Sequence, residues 1–175
     1  MNETRMATKE VLDAIARERA RLMAAVDALG AGASSVSVTE EGWTAKDVLA
    51  HLTHWAGQIA FALGAQWEPP VYVVEEVRRR EVAGVNGRLT GEEWNALAVA
   101  HYHDQPLGRV RAELEDLVDR LLAQVRLRTD EQMNAIDAIP WAGELPLWQQ
   151  IGGDTFIHWR AHYEAMERTA SGTRP

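Results

Sequence analysis

Six histidines occur in this 175-residue chain, in three close pairs: His51/His54, His101/His103 and His158/His162. Neutral imidazole offers a ring-nitrogen lone pair, so histidines that converge are candidates for metal chemistry. His158 and His162 are four residues apart, a spacing that sets two rings one above the other on a helix. They fall on an apolar seam of Trp148, Ile151, Thr155, His158, His162, Ala165 and Thr169, with spacings alternating three and four. A buried imidazole needs partners for its polar atoms. One metal ion satisfies two rings at once; the alternative is a pair of core histidines hydrogen-bonded to neighbouring helices.

His51 is the third candidate ligand, one turn before Trp55 on the flank of a second apolar stripe. His54 faces the more polar side of that helix, with Asp47 and Gln58. Three neutral imidazoles (His51, His158 and His162) hold a divalent ion with a position left open, as catalytic sites do. The donor set suits zinc, nickel, copper or iron, with zinc or nickel leading. His54 and Asp154 are the candidate catalytic base or orienting residues. Asp154 either orients His158 or caps the helix after Gly152-Gly153. His101 and His103, two apart, point different ways and read as surface or packing residues. Trp55, Trp141, Trp148 and Trp159 are candidate walls of a substrate pocket, with plain core packing the alternative.

The elements that must position these groups are helical. A first helix runs from about Thr8 to Leu29 on Val11, Ile15, Leu22, Val26 and Leu29, and stops at Gly30-Ala31-Gly32. Residues 33–42 form a loop with an extended piece from Val36 to Val38. Thr44 with Asp47 opens the second helix, which runs to about Leu63 on Val48, Leu52, Trp55 and Ile59. The 65–91 connection carries Pro69-Pro70 and a short helix over Val73–Val82. Thr90 caps a stretch to His103, and a third main helix spans Leu107 to about Arg126. Thr129 caps one or two turns, 137–147 is loop, and the fourth helix runs from Leu147 to about Thr169. The expected architecture is an all-α four-helix bundle in one domain over residues 1–175. The long connection between helices two and three can span a roughly 30 Å helix, which permits up-down-down-up order.

Composition narrows the function. The formal net charge is −8 and there is no basic face, against nucleic-acid binding. The Arg78-Arg79-Arg80 run is flanked by glutamates. No cysteine occurs, so disulfides and a protein thiol nucleophile are excluded. No apolar run spans a bilayer and no signal-peptide h-region opens the chain, so a cytoplasmic protein without membrane partners is expected.

Two stretches carry a resemblance: Gly42-Trp-Thr-Ala-Lys-Asp-Val-Leu-Ala-His51-Leu and Asp154-Thr-Phe-Ile-His158-Trp-Arg-Ala-His162-Tyr. From about residue 8 to 169 the chain resembles the DinB/YfiT-like superfamily of bacterial bundle proteins. Its middle segment, Glu93-Trp-Asn-Ala-Leu and His101-Tyr-His-Asp-Gln-Pro-Leu, is similar to the ClbS/DfsB branch. The resemblance implies the up-down-down-up bundle and a metal held by His51, His158 and His162. It also implies one of three activities on a small-molecule substrate: metal-dependent hydrolysis, transfer or isomerisation using a low-molecular-weight thiol, or ClbS-like protection against a genotoxin. Water activation on a small electrophile is the leading reading, and non-catalytic small-molecule binding the reading from another class. Homodimers are common among such proteins, though no dimer stripe stands out. The 65–91 connection departs from the compact members and is expected to cover the site mouth.

Overall fold

A computed structural model describes residues 5–83, 89–136, 138–139 and 144–172. Its elements are α1 (Thr8–Ala28), a 3-10 turn (Gly30–Ser34), α2 (Ala45–Ala62), α3 (Val71–Ala83), α4 (Gly91–Tyr102), α5 (Leu107–Val125), α6 (Asp130–Met133), α7 (Leu147–Asp154) and α8 (Phe156–Ala170). Among the described residues there is no strand. The extended piece expected at Val36–Val38 reduces to one isolated bridge, Ser37 with Thr44.

The chain is a helical bundle. α2 lies along α5, α1 along α8, and α4 closes on α2. Lys46 near the start of α2 donates to the carbonyls of His103 and Gln105 just before α5. Arg128, just beyond α5, donates to the Leu63 carbonyl at the end of α2 (2.8 Å). α2 and α5 therefore run parallel, which the 65–91 connection makes possible. α1 opposes them: Arg19 pairs with Asp119 and Asp27 with Arg111. One core joins these helices, with Ile15 and Leu22 of α1, Leu49 and Leu52 of α2, Leu114 and Leu121 of α5, and Trp159 and Tyr163 of α8 all buried. Each such Leu or Ile contributes about 1.5–3 kcal/mol of burial.

Local signals fix the helix that matters most. Thr44 and Asp47 form the expected capping box, with Thr44 N–H donating to Asp47 Oδ2 (2.9 Å) and Asp47 N–H to Thr44 Oγ1 (3.3 Å). Gly64, at φ +95°, ends α2. There Ala65 N–H reaches the Ala60 carbonyl and Gly64 N–H the Phe61 carbonyl, the two bonds of a Schellman motif.

The fourth helix is not continuous. Thr155, at φ −136° and ψ −112°, separates α7 from α8. Its hydroxyl turns back to the Ile151 carbonyl (2.5 Å). Phe156 and Ile157 fold against Gly152 so closely that a Cβ there would lie 2.7–3.0 Å from their side chains. The break resets the helical phase, so the seam expected to run from Trp148 to Thr169 does not carry through. On α8 the buried residues are Phe156, Trp159, Tyr163 and Met166, and the His158/His162 pair flanks that stripe half-buried.

α8 is fastened to α1 by a buried polar contact. The Tyr163 hydroxyl donates to Glu18 Oε2 (2.6 Å), and Arg17 and Arg160 also reach Glu18. Burial pushes the Glu18 carboxyl up, but the bonds from Tyr163 and Arg17 and the nearby guanidinium charges outweigh it and hold the group below its ordinary value.

Candidate metal centre

Three histidines from two separate stretches of chain meet at one point. α2 delivers His51, 4% exposed. The first turns of α8, set by the Thr155 break, deliver half-buried His158 and His162. His51 Nε2 lies 3.0 Å from His158 Nε2, and His162 Nε2 lies 3.1 Å from the same atom. One nitrogen from each ring falls within 4.8 Å of the other two.

The electrostatics keep these rings neutral. Burial, then the neighbouring His158 and His162, lower His51 to about 3. Burial and His158 lower His162 to about 4, and burial lowers His158. His158 Nε2 faces two ring nitrogens at once, and the single proton or single lone pair it carries when neutral can be directed at only one of them. A divalent ion resolves that conflict. With metal–nitrogen bonds of 2.0–2.1 Å, adjacent ligand nitrogens stand about 2.9–3.4 Å apart, and both short contacts fall in that range. The donor set and these two contacts therefore fit a metal, while the three ligand atoms as a group lie within 4.8 Å of one another. His158 Nδ1 is buried without a partner in either case.

A supporting shell surrounds the triad. His51 Nδ1 lies 2.7 Å from Asn95 Oδ1, and the Trp55 indole nitrogen lies 2.9 Å from the same oxygen. The Thr90/Glu93 capping box starts α4, which carries Asn95. The Trp43 ring sits 5.4 Å from that of His51. Glu41, exposed on the loop before α2, acts electrostatically on His162. Trp43, Glu41 and Asn95 take no site role in the sequence reading, although Trp43 and Asn95 lie in the stretches that carry the resemblance. Asn95 leaves one faint signal: an asparagine inside a helix has poor propensity and calls for a reason.

Other candidates fall elsewhere. His54 does not face a polar side. It is buried, with Nδ1 on the Tyr72 hydroxyl (2.8 Å) and Nε2 on Gln58 Nε2 (2.5 Å), and it stacks on Trp94. α3 and α4 cover that side of α2 with Tyr72 and Trp94, and burial lowers His54 to about 4. Asp154 neither caps α8 nor bonds to His158: it is the last residue of α7, and burial alone pushes its carboxyl up to about 7. Trp55 is half-buried at the triad. Trp148 is buried, and Trp159 is wholly buried with its N–H unpaired, so Trp159 offers no surface to a substrate. Trp141 lies outside the described residues. His101 packs against Tyr72 and Tyr102, and His103 is exposed. A cavity of about 690 Å³ between α2 and α5, walled by Phe61, Trp67, Glu113 and Asp116, shares no residue with the triad. The chemistry of the converging rings, and not that hollow, marks the site. Among the described residues no helix is long and apolar enough to cross a membrane.

Fold and site together define a helical-bundle protein with a three-histidine cluster that could hold a metal ion. The chain belongs to the family described as the mycothiol maleylpyruvate isomerase N-terminal domain, which it matches over residues 11–147. This bears out the DinB/YfiT-like resemblance. The match ends before His158 and His162, so the α8 half of the triad rests on geometry. In fold the chain is similar to a protein titled Sibling Lethal Factor Precursor - DfsB, with TM-score 0.67, 14% identity, and 98% of this chain and 99% of that one covered. It is similarly close to an uncharacterised protein from Escherichia coli UTI89, with TM-score 0.66, 14% identity, and 95% and 94% covered. The DfsB likeness fits the ClbS/DfsB branch at the level of fold. No curated protein matches the chain.

Proposed function

We propose that the protein is a metal-dependent enzyme in which His51, His158 and His162 hold one divalent ion, zinc or nickel, and a small electrophilic substrate reacts beside it. The observation that carries this reading is the convergence of three neutral Nε2 atoms at 3.0 and 3.1 Å. A bound ion would supply Lewis acidity, lowering the pKa of water and polarising an electrophile. The chain's own residues do the rest. His51 anchors the buried side, while the half-buried His158 and His162 leave the other side reachable by substrate. Trp43 and Trp55 give the site apolar walls that favour a small organic molecule over a free ion. No proton-transfer role is assigned to His54, whose nitrogens are both engaged, nor to Asp154, which makes no hydrogen bond with His158.

Water is the nucleophile in this reading. A second reading, with a low-molecular-weight thiol as nucleophile, is favoured by the family match, whose description names a mycothiol maleylpyruvate isomerase. A chain without cysteine would take that thiol from solution. The two separate cleanly. Metal-loaded protein is incubated with a panel of activated esters, amides and α,β-unsaturated acids, with and without added thiol. Metal-dependent turnover without thiol supports hydrolysis, and turnover only with thiol supports transfer or isomerisation. Absence of metal uptake by tag-free protein would overturn both and leave a small-molecule-binding bundle.

A further inference from the structure

We propose that Trp55 and Asn95 are positioning residues that fix the tautomer of His51, so that its lone pair lies at Nε2, where the three rings meet. The argument is one of proton accounting. Three polar atoms crowd together: Asn95 Oδ1 is 2.7 Å from His51 Nδ1, and Trp55 Nε1 is 2.9 Å from Asn95 Oδ1 and 3.1 Å from His51 Nδ1. Indole nitrogen is only a donor, and an amide oxygen only an acceptor with two lone pairs. Turning the Asn95 amide over would press its NH2 group against the indole N–H, donor against donor, so Trp55 holds the oxygen inward. An oxygen at 2.7 Å then requires His51 Nδ1 to carry the proton. The single indole proton goes to Asn95, because a protonated Nδ1 has no lone pair to accept it. With Nδ1 protonated in a neutral ring, the remaining lone pair is at Nε2, the atom 3.0 Å from His158.

The relay joins two elements. Trp55 lies one turn beyond His51 on α2, and Asn95 comes from α4 across 44 residues of chain. It gives α4, and the capping box that starts it, a task at the site. Outer partners of this kind orient a ligand ring and raise its basicity. The consequence for affinity rests on the metal reading, but the tautomer itself is a property of metal-free protein.

That difference sets the experiment. Nitrogen-15 histidine labelling and long-range proton–nitrogen NMR on metal-free protein at pH 7.5 report which nitrogen of His51 carries the proton. Wild type should show a protonated Nδ1 and a bare Nε2. Asn95→Leu should move the proton toward Nε2 and weaken zinc binding about 10–100-fold in chelator competition. Asn95→Asp, which keeps an acceptor, should restore both. Trp55→Phe should mix the tautomers, since nothing then fixes the amide. A wild-type His51 protonated at Nε2, or an Asn95→Leu protein with unchanged tautomer, overturns the relay. Zinc failing to bind a wild type with the expected tautomer refutes the metal reading and leaves the relay standing.

Discussion

The Nε2 atoms of His51 and His158 stand 3.0 Å apart across 107 residues of chain. Two hydrogen-bonding neutral rings could sit at that distance. A third ring nitrogen 3.1 Å from His158 makes the contact hard to satisfy with protons alone. His51→Ala, His158→Ala and His162→Ala should each lower metal affinity by more than the roughly 10–100-fold that loss of an outer partner costs. His103→Ala, on an exposed residue, should change nothing. Elemental analysis and titration calorimetry on tag-free protein decide this, and equal metal content in all four variants would refute the site.

The buried rings also make stability depend on pH. His51 is lowered to about 3 and His54 to about 4, against an ordinary value of 6.5. Below about pH 6.5 the unfolded chain takes up protons that the native rings refuse, so native stability is full above 6.5 and falls on acidification toward about 4. Each such group contributes a slope of about 1.4 kcal/mol per pH unit in that window. His162 and His158 act in the same direction. Urea midpoints taken from pH 7.5 to 5 should decline steadily for metal-free protein. A flat or rising profile would show that the rings accept protons in the native state.

The Tyr163 hydroxyl holds a carboxylate that is 1% exposed, and it anchors the helix bearing two of the three ligands. Tyr163→Phe keeps the ring and deletes the donor. It should destabilise the fold by about 1–3 kcal/mol, the cost of a charged buried acceptor losing a partner. Denaturant unfolding measures it. A change below 0.5 kcal/mol (about the noise of surface substitutions) would mean that Arg17 and Arg160 suffice for Glu18.

Much of this was legible in the residues. The Thr44/Asp47 pair marks the start of α2, and the i, i+4 spacing of His158 and His162 survives as a shared site. Two things were not, and each has a physical cause. The stripe read through Thr155 assumes one helical phase, whereas the backbone breaks there and Gly152 lets Phe156 and Ile157 fold close. His54 sits among polar neighbours in sequence, yet Tyr72 and Trp94 cover it from helices that periodicity on α2 cannot reveal. The role of Asn95 was hidden for a related reason: its partner is 44 residues away, and only the fold brings them together.

Asp154 offers a test in which two roles predict opposite results. Its carboxyl is pushed up to about 7 by burial, no hydrogen bond reaches it among the described residues, and it ends α7, where the helix dipole disfavours negative charge. Because the native pKa is raised, the stability linked to the protonated group is full below the unfolded value of 3.8 and is lost as pH rises through about 7. This opposes the histidine trend but is one group against several. Asp154→Asn mimics the protonated acid. It should be more stable than wild type at pH 8 by about 1–2 kcal/mol, a figure kept small because the side chain is partly open to water. The advantage should vanish below about pH 4. If Asp154 instead oriented His158 for metal binding, the variant would gain no stability at pH 8 and would lose zinc affinity. Paired unfolding and zinc titrations at pH 8 and pH 4 tell a misplaced charge from a working one.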